Sequence, residues 1–583
     1  MAAAYAAKLF ATYGADVIKV EAPEGDPTRR LPPTVGDDPN AGILFAYVNA
    51  GKRSAVLDID DDSQRGSVLS LLASADIVFD SSEPGTLAAR GVDLQALAAA
   101  HPALVVCSIT PFGQDGPRAG WHATALTAFA SGGQMALCGE EGEPPLKTAG
   151  HQAYFQSGVH GFAAASTALF AARESGSGDL IDIAMQEVQA STLEGAGPAA
   201  MVRGVDAERT GNSARAMWGV YPCADGWVGL ASLPRQQQAV FECIGHPELA
   251  EGGEALFADA ERDSLIMALI TEWTTARTAR EIYDESGQHR APFSLIPNPR
   301  ELIEWPPLVE AGFWQEVEHP VLGRYVMPSG PIVLGGERGT EGRAPLLGEH
   351  TDEVLAEVAE ADAAEPTTAP TSATSGLGGL LDGLRVLDLT AVWAGPYGTR
   401  FLSDHGADLI KIEGPAFPDV IRLLGAQRTD PLIHNKSSYF NEYNRSKKGI
   451  TLDLTSPEGL ELFMQLARDA DVVIENWSSG VAERLGIGYE ALRAINPGVV
   501  VISMPGFGHE GSEAHRIGYG PTIEQMAGLV ALQGYEGGPP HKSGISYGDP
   551  IAGATAAAAV ALGLLHRQRT GEGCYAVIPQ RDT

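Results

Sequence analysis

The chain has 583 residues, more than the roughly 250–300 at which a single hydrophobic core stops growing, so we expect at least two domains. Hydrophobic residues make up 44% of the chain and charged residues 20%. No run of about 18 apolar residues lacks a polar interruption, which predicts a soluble globular protein with no membrane partner. The net charge of −34 argues against a nucleic-acid partner, because such binding needs a basic surface to neutralise phosphates.

The N-terminus and the cysteines bear on the cellular compartment. Residues 1–5 show no basic region before an apolar one, so we expect neither a secretory signal nor a membrane anchor, and a cytoplasmic location. The cysteines stand singly, without the spacing of a metal site or the density of a disulfide framework. We therefore expect reduced thiols and no metal. These cysteines are Cys107, Cys138, Cys223, Cys243 and Cys574.

Read in order, the chain contains two related copies. Residues 13–21 (Tyr-Gly-Ala-Asp-Val-Ile-Lys-Val-Glu) recur at 405–413 as His-Gly-Ala-Asp-Leu-Ile-Lys-Ile-Glu, a displacement of 406 − 14 = 392. Later segments match at a displacement of 395, for example Ala-Asp-Ile-Val at 75–78 with Ala-Asp-Val-Val at 470–473. The register still holds at Gly176 and Gly571. A period of this size indicates a duplicated domain and not a solenoid repeat.

Within each copy, short β-branched runs alternate with helical stretches. The runs are 15–20, 77–79 and 104–108 in copy one, and 409–412, 472–474 and 499–503 in copy two. Helical stretches lie at 62–73 and 456–468. This alternation predicts βαβ units. The fold class is therefore α/β, with two Rossmann-like parallel-sheet copies plus a smaller α/β domain.

The two copies are incomplete in opposite ways. Copy two opens with a predicted strand at 381–390 and a strand-to-helix turn at 391–397, whereas copy one starts inside the following helix. The predicted domains are 1–180 (Rossmann-like part of copy one), 181–358 (its smaller C-terminal part), 359–379 (a flexible linker) and 380–583 (Rossmann-like part of copy two). Either the chain is a fragment of a longer tandem protein, or the two partial copies complete one another.

One carboxylate near the end of the chain stands out. Asp549 lies on a Gly- and Pro-rich turn just ahead of the alanine-rich run 554–565, where a helix N-terminus can hold it. Alone, such an Asp is more often a helix N-cap. The matching position in copy one, 549 − 395 = 154, is Tyr154, and Gln152 and Gln156 beside it are not acidic. Copy one therefore lacks an equivalent acid.

Taken together, these segments resemble CoA-transferase family III, also called the CaiB/BaiF family. The matching segments are 381–397, 406–413, 444–454, 470–477, 497–508 and 548–573 in copy two, and 221–227, 235–236, 319–320 and 344–351 in the tail of copy one. The resemblance implies an interlocked architecture, in which two subunits, each with a large and a small domain, link like rings of a chain. A tandem chain is then an intramolecular pseudo-dimer, with a homodimer as the alternative.

The resemblance also implies the chemistry. Asp549 matches the catalytic aspartate of the family by the glycines at positions 548 and 553 and by the Arg-x-x-Thr-Gly that ends the helix. The implied reaction moves CoA from an acyl-CoA donor to a carboxylic acid acceptor through a covalent aspartyl intermediate. Coenzyme A is a substrate here, and no permanently bound cofactor is expected. Backbone N–H groups near Gly548 and Gly553 are candidates to stabilise the oxyanions.

The resemblance places CoA at the carboxyl ends of the strands of copy two. Trp393 and Trp477 suit stacking on adenine or covering the pantetheine, and Arg484 suits a phosphate; alternatively the tryptophans are core and Arg484 is a solvated helix residue. The full set of implied contacts is Trp393, Ala394, Leu452, Asp453, Leu454, Thr455, Asn476, Trp477, Ser478, Arg484, Pro505, Gly506, Phe507 and Gly508.

Two positions depart from the family pattern. Gly414 and Pro505 stand where some members carry a cation. Arg445, Lys447 and Lys448 are candidates to compensate for that loss of positive charge, although a basic cluster before a strand is more often simply exposed.

Two other functions remain open. A 2-methylacyl-CoA racemase uses a His and an acid to exchange an α-proton, but the matching stretch 517–521 reads Ile-Gly-Tyr-Gly-Pro and lacks the His. The missing first strand and the missing acid in copy one instead favour a non-catalytic CoA-binding or decayed half of a pseudo-dimer. His151 and His160, near the vacant position of copy one, are expected to be structural, with lining a cleft as the alternative.

Overall fold

The structure is a computed structural model that describes residues 1–204, 206–252, 259–363, 379–424 and 432–583. Its strands, in chain order, are β1 (Ile18–Glu21), β2 (Arg53–Val56), β3 (Ile77–Asp80), β4 (Val105–Thr110), β5 (Leu180–Ala184), β6 (Ser213–Arg215), β7 (Trp218–Cys223), β8 (Gly226–Ala231), β9 (Phe293–Leu295), β10 (Trp314–His319), β11 (Gly323–Pro328), β12 (Val333–Leu334), β13 (Glu337–Arg338), β14 (Arg385–Asp388), β15 (Asp408–Glu413), β16 (Lys448–Thr451), β17 (Val472–Glu475), β18 (Val500–Ser503) and β19 (Tyr575–Val577).

The helices, in the same order, are α1 (Ala2–Thr12), α2 (Ile43–Val48), α3 (Asp62–Ser74), α4 (Thr86–Ala89), α5 (Leu94–Ala100), α6 (Ala125–Ser131), α7 (Gln134–Leu137), α8 (Gln152–Ser175), α9 (Met185–Ser191), α10 (Ala196–Arg203), α11 (Gln237–Cys243), α12 (Ala260–Thr275), α13 (Ala279–His289), α14 (Pro299–Ile303), α15 (Pro306–Glu310), α16 (Thr351–Ala363), α17 (Ala394–Asp404), α18 (Ser438–Tyr443), α19 (Pro457–Ala467), α20 (Val481–Arg484), α21 (Tyr489–Ile495), α22 (Gly520–Met526) and α23 (Gly548–Thr570).

Copy two forms one continuous parallel sheet. Its strand order is β16-β15-β14-β17-β18-β19, and every neighbouring pair is parallel. The β-branched centres of β17 and β18 are buried, as a sheet covered on both faces requires. The hairpin β12–β13, from the tail of copy one, adds to the other side of β19 in antiparallel register. The tail of copy one is thus built into the sheet of copy two.

The sheet of copy one is in two pieces. β1 pairs with β2, and β3 pairs with β4 and β5, again in parallel. In copy two, β14 lies between the counterparts β15 and β17 of these two pieces. Among the described residues, which begin just before α1, no strand joins β1 to β3. The Rossmann-like pattern is therefore confirmed in both copies, but a continuous sheet forms only in copy two.

The smaller domain is an antiparallel sheet packed with helices. Its order is β6-β7-β8-β9, and its core includes Tyr221, Phe241, Ile270 and Trp273. The helix α16 runs five residues into the predicted linker 359–379, and residues 364–378 lie outside the described part of the chain.

Long helices join the two copies. The helix α1 packs on α8 within copy one, α17 packs on α23 within copy two, and α8 packs on α23 between the copies. The helix α23 is long and apolar enough to cross a membrane, but 89% of its most apolar window is buried inside the protein. It therefore serves as the core helix of the molecule.

The duplication extends to side-chain packing. In copy one the guanidinium of Arg29 lies 3.7 Å from the ring centroid of Phe45, and in copy two Arg422 lies 3.6 Å from that of Phe440. Each arginine also forms an ion pair with the acid at the end of the preceding strand, which is Glu21 in copy one and Glu413 in copy two. The two copies therefore share contacts as well as sequence register.

Candidate active site

Asp549 is not a helix cap in the structure. The helix α23 begins at Gly548 and has no side-chain cap hydrogen bond, although Asp549 lies in its first turn. The carboxylate instead accepts a hydrogen bond from the backbone N–H of Ala394 on α17, with 3.1 Å between Oδ1 and N. Asp549 is 8% exposed. Its carboxylate is therefore held between two helices and is not used to stabilise the start of its own.

Glycines allow the backbone to approach this carboxylate closely. A Cβ atom at Gly520 would lie 1.9 Å from Asp549 Oδ2, and one at Gly553 would lie 2.5 Å from the carbonyl oxygen of Ala394. A Cβ atom at Gly548 would lie 2.7 Å from a side-chain carbon of α22. Gly548 and Gly553 thus provide close packing, and the backbone N–H groups that stabilise the ionised Asp549 belong to Ala394 and Gly520. That N–H groups near Gly548 and Gly553 stabilise the oxyanions stays a prediction.

A second carboxylate, from copy one, faces the same place. Glu194 Oε2 accepts a hydrogen bond from the backbone N–H of Ser546 at 2.6 Å, and Oε1 accepts one from the Ser546 hydroxyl at 2.8 Å. The hydroxyl of Tyr439 donates to Oε1 at 3.4 Å. Glu194 has a φ of +50°, which is uncommon for a residue other than glycine. Sequence analysis missed it, because Glu194 lies in no motif and Ser546 is 352 residues away.

Both acids have a raised pKa, and the charge of Glu194 contributes to that of Asp549. Burial and, to a smaller extent, the nearby charge of Glu194 raise the pKa of Asp549 to about 8, opposed by the backbone hydrogen bonds of Ala394 and Gly520. Burial also raises the pKa of Glu194, opposed by the hydrogen bonds from Ser546 and by the charge of Lys542. Two carboxylates that share one buried site resist ionising together. The site thus holds a basic carboxylate, which is a better nucleophile than an exposed one.

Aromatic rings form the floor of the site. Trp393 is 1% exposed, and its ring centroid lies 5.7 Å from that of Tyr443 and 6.5 Å from that of Tyr439. Trp393 therefore packs inside an aromatic cluster and does not present an open face for stacking.

The turn that leads into this floor is strained and held at two points. Val392 has a φ of +70°, a conformation that costs about 1–3 kcal/mol for a non-glycine residue. Its backbone N–H donates to Asp419 Oδ1 at 3.0 Å. Asn476 accepts from the N–H of Ala391 and donates to its carbonyl oxygen, both at 2.8 Å. The structure thus gives Asn476 a role in positioning the turn before Trp393.

The predicted CoA contacts follow the strands of copy two. Trp393 and Ala394 follow β14, residues 452–455 follow β16, residues 476–478 follow β17 and residues 505–508 follow β18. Because these strands are parallel, all four groups lie at one edge of the sheet, where ligands of open α/β folds bind. Arg484 is exposed at the end of α20. Their contact with CoA stays a prediction.

The candidate compensating cations are already paired. Lys447 is buried and lies 3.1 Å from Asp388, whereas Lys448 and Arg445 form exposed ion pairs with Asp408 and Asp404. Burial lowers the pKa of Lys447 to about 8, opposed by the charge of Asp388. The expectation that Lys447 replaces a phosphate-binding cation is therefore wrong, because its ammonium neutralises an acid beneath the sheet edge.

The histidines near the vacant position of copy one are placed differently from each other. His160 is part-buried, with Nδ1 2.8 Å from the carbonyl oxygen of Gln156 and Nε2 2.9 Å from the hydroxyl of Tyr397 in copy two. His160 thus links copy one to copy two through Tyr397. His151 precedes α8, and its ring stacks on that of Tyr154 at 6.2 Å. Among the residues that the structure describes, no cluster of His, Cys, Asp and Glu is arranged to hold a metal.

The small domain of copy one reaches the edge of this site. The hydroxyl of Tyr519 donates to Gln236 Oε1 at 2.7 Å and accepts from Nη2 of Arg235 at 3.3 Å. Tyr519 directly precedes Gly520, whose backbone abuts the carboxylate of Asp549. Residues 235–236, one of the segments that carry the family resemblance, therefore contact copy two beside its acid.

The chain was compared with known proteins. The profile of CoA-transferase family III matches residues 1–351 and 381–582. A probable CoA-transferase of Mycobacterium tuberculosis is 30% identical over 598 aligned positions, which cover 99% of this chain and 72% of that protein. Subunit BbsE of the succinyl-CoA:(R)-benzylsuccinate CoA-transferase of Thauera aromatica is 32% identical over 370 positions, or 60% of this chain and 90% of that one.

A solved structure supports the same conclusion. The crystal structure of a CaiB/BaiF family protein from Brucella suis superposes with a TM-score of 0.52 at 27% identity, covering 61% of this chain and 95% of that one. The profile match and the relatives named as CoA-transferases support an enzyme of this family. The chain belongs to CoA-transferase family III and is an enzyme of that family.

Proposed function

We propose that the protein transfers CoA from an acyl-CoA to a carboxylic acid, with Asp549 as the covalent relay. The observation that carries the proposal is the environment of Asp549: a buried, basic carboxylate between α17 and α23, next to the backbone N–H groups of Ala394 and Gly520. A carboxylate that accepted hydrogen bonds from its own helix would support a cap instead.

The chemistry follows from that arrangement. The Asp549 carboxylate attacks the thioester carbonyl, which forms a mixed anhydride and releases the CoA thiolate. The thiolate attacks the aspartyl carbonyl, which releases the first acid and leaves a thioester on Asp549. The incoming carboxylate then attacks this thioester, and the same two steps run in reverse. Backbone N–H donors next to the reacting carbonyl stabilise each oxyanion, each such donor being worth about 10²–10³ in rate.

We infer that the two copies act together as an intramolecular pseudo-dimer. In a twofold interface, equivalent residues meet at the axis. The hydroxyl of Tyr547 donates to Oε1 of Gln152 at 2.9 Å, and the N–H of Glu140 donates to the hydroxyl of Tyr535 at 2.9 Å. In both pairs the residues are 395 positions apart, which is the displacement of the repeat. These contacts support the pseudo-dimer.

The test is detection of the acyl adduct. The relative from Thauera aromatica is named for succinyl-CoA, so succinyl-CoA is the first donor to use. Incubation with this donor, trapping with hydroxylamine and peptide mass mapping should place a modification on Asp549. Asp549→Asn should abolish the adduct and lower transfer by at least about 10³-fold, because it removes the nucleophile.

The matched control is Asp469→Asn, an exposed acid on copy two, which should leave transfer unchanged. Exchange of an α-proton of a 2-methylacyl-CoA without any adduct would support a racemase instead. Normal turnover by Asp549→Asn would refute the assignment.

A further inference from the structure

The segment that leads into α23 is held from the other copy. Within three residues upstream of Asp549, Ser546 directs both its backbone N–H and its hydroxyl to the carboxylate of Glu194. The same serine packs against Gly520, since a Cβ atom on that glycine would lie 2.5 Å from Ser546 Cβ and 1.9 Å from Asp549 Oδ2. A continuous series of contacts therefore runs from Glu194 through Ser546 and Gly520 to Asp549.

The backbone around Glu194 is shaped for this contact. Glu194 and Gly195 both have positive φ, at +50° and +73°. A Cβ atom at Gly195 would lie 2.9 Å from the ring of Tyr439, so the chain passes flat against that ring. Holding a glutamate in this conformation costs about 1–3 kcal/mol and persists only where the surroundings enforce it. The strained backbone therefore indicates that the contacts of Glu194 have a functional role.

We propose that Glu194 of copy one is a positioning residue for the reaction at Asp549 of copy two, and that it acts through Ser546 and through charge repulsion. This inference rests on the proposed function of Asp549. It assigns to copy one, which has no nucleophile of its own, a direct contribution to the active site.

The charge effect has a defined direction. When Asp549 becomes acylated its negative charge disappears, so repulsion from Glu194 penalises the free enzyme and not the covalent intermediate. Glu194 therefore favours acylation and makes Asp549 more basic. The titratable and charged groups within electrostatic reach of Glu194 are Asp549, Tyr439, Tyr443, Lys542 and Arg215. Lys542 and Arg215 limit the repulsion without removing it.

The experiment is a pH profile of adduct formation with succinyl-CoA for the full chain. In the wild type the rate should rise with pH through a midpoint near 8, because only the ionised Asp549 attacks. Glu194→Gln keeps the size of the side chain and removes the charge. It should lower the midpoint by about one pH unit and reduce the plateau rate about tenfold, since a less basic carboxylate is a weaker nucleophile.

Two further variants separate charge from geometry. Ser546→Ala keeps the charge of Glu194 and removes the hydrogen bond from the Ser546 hydroxyl. The plateau rate of adduct formation should therefore fall, while the midpoint of the pH profile stays in place. Glu187→Gln, an exposed acid on α9, should change neither. An unchanged midpoint in a folded Glu194→Gln variant, or an unchanged plateau in Ser546→Ala, would overturn the proposal.

A measurement without substrate distinguishes failure of the inference from failure of the proposed function. Both acids bind protons more tightly in the folded protein than in the unfolded chain. Stability should therefore fall as pH rises from about 4 to about 8. Glu194→Gln should flatten this fall, even if Asp549 forms no adduct. An equally steep fall of stability with pH in a folded Glu194→Gln variant would contradict the electrostatic coupling of Glu194 and Asp549, whatever reaction the protein catalyses.

Discussion

At the residue scale, two adjacent lysines lie in different environments. Lys447 and Lys448 are adjacent, but the side chain of Lys447 is 1% exposed and that of Lys448 is 71% exposed. The first donates to Asp388, to the Thr399 hydroxyl at 2.7 Å and to the carbonyl oxygen of Pro396 at 3.2 Å. Lys447 thus ties α17 to the end of β14, directly beneath the strained turn before Trp393.

Removing one member of such a pair should be costly. Lys447→Met removes the ammonium that contacts the buried Asp388, while the charge of Lys411 remains. We expect the free energy of unfolding to fall by up to about 3–5 kcal/mol. Lys448→Met removes an exposed ion pair and should change the free energy of unfolding by less than about 1 kcal/mol. Chemical denaturation of both variants measures the difference. Equal effects in the two variants would mean that Lys447 does not support the turn.

At the element scale, the crossing of α17 and α23 sets the distance between Asp549 and its donor. A Cβ atom at Gly553 would meet the carbonyl oxygen of Ala394 at 2.5 Å and the N–H of Gly398 at 3.1 Å. These contacts involve backbone atoms, which cannot move aside as a side chain does. The helices must separate if position 553 gains a methyl group.

Gly553→Ala should therefore affect the reaction more than a helix-favouring substitution normally would. We expect a loss of about 1–3 kcal/mol in stability from overpacking and a fall of about 10–100-fold in adduct formation, because Ala394 shifts relative to Asp549. The control is Gly197→Ala in α10, where nothing lies within 4 Å of the added Cβ. That variant should be neutral or more stable. Undiminished adduct formation by Gly553→Ala would show that the crossing does not position the donor.

At the scale of the whole molecule, the repeat in the sequence was enough to predict which strands correspond, because equivalent positions keep a displacement of 392 in the first segment and 395 in the later ones. The family resemblance, and not the repeat, implied that the CoA positions follow the carboxyl ends of the strands of copy two, and those segments do share one edge of the sheet. Contacts between the copies were not predictable. Glu194 and Ser546 are far apart in sequence and lie in no shared motif, and the burial of Lys447 depends on Asp388, 59 residues before it.

The same contacts predict how the molecule behaves when the linker is cut. The tail of copy one contributes β12 and β13 to the sheet of copy two, and Gln152, Glu194 and Gln236 contact copy two through hydrogen bonds. Cleavage at a protease site inserted within 364–378 would break the chain between the two copies. After cleavage we expect the two pieces to elute together in gel filtration and to retain the adduct at Asp549, since the buried contacts hold without the linker. The uncleaved insertion variant is the control for the insertion itself. Separation of the pieces, or retention of activity by residues 379–583 alone, would show that copy one is not part of the active site.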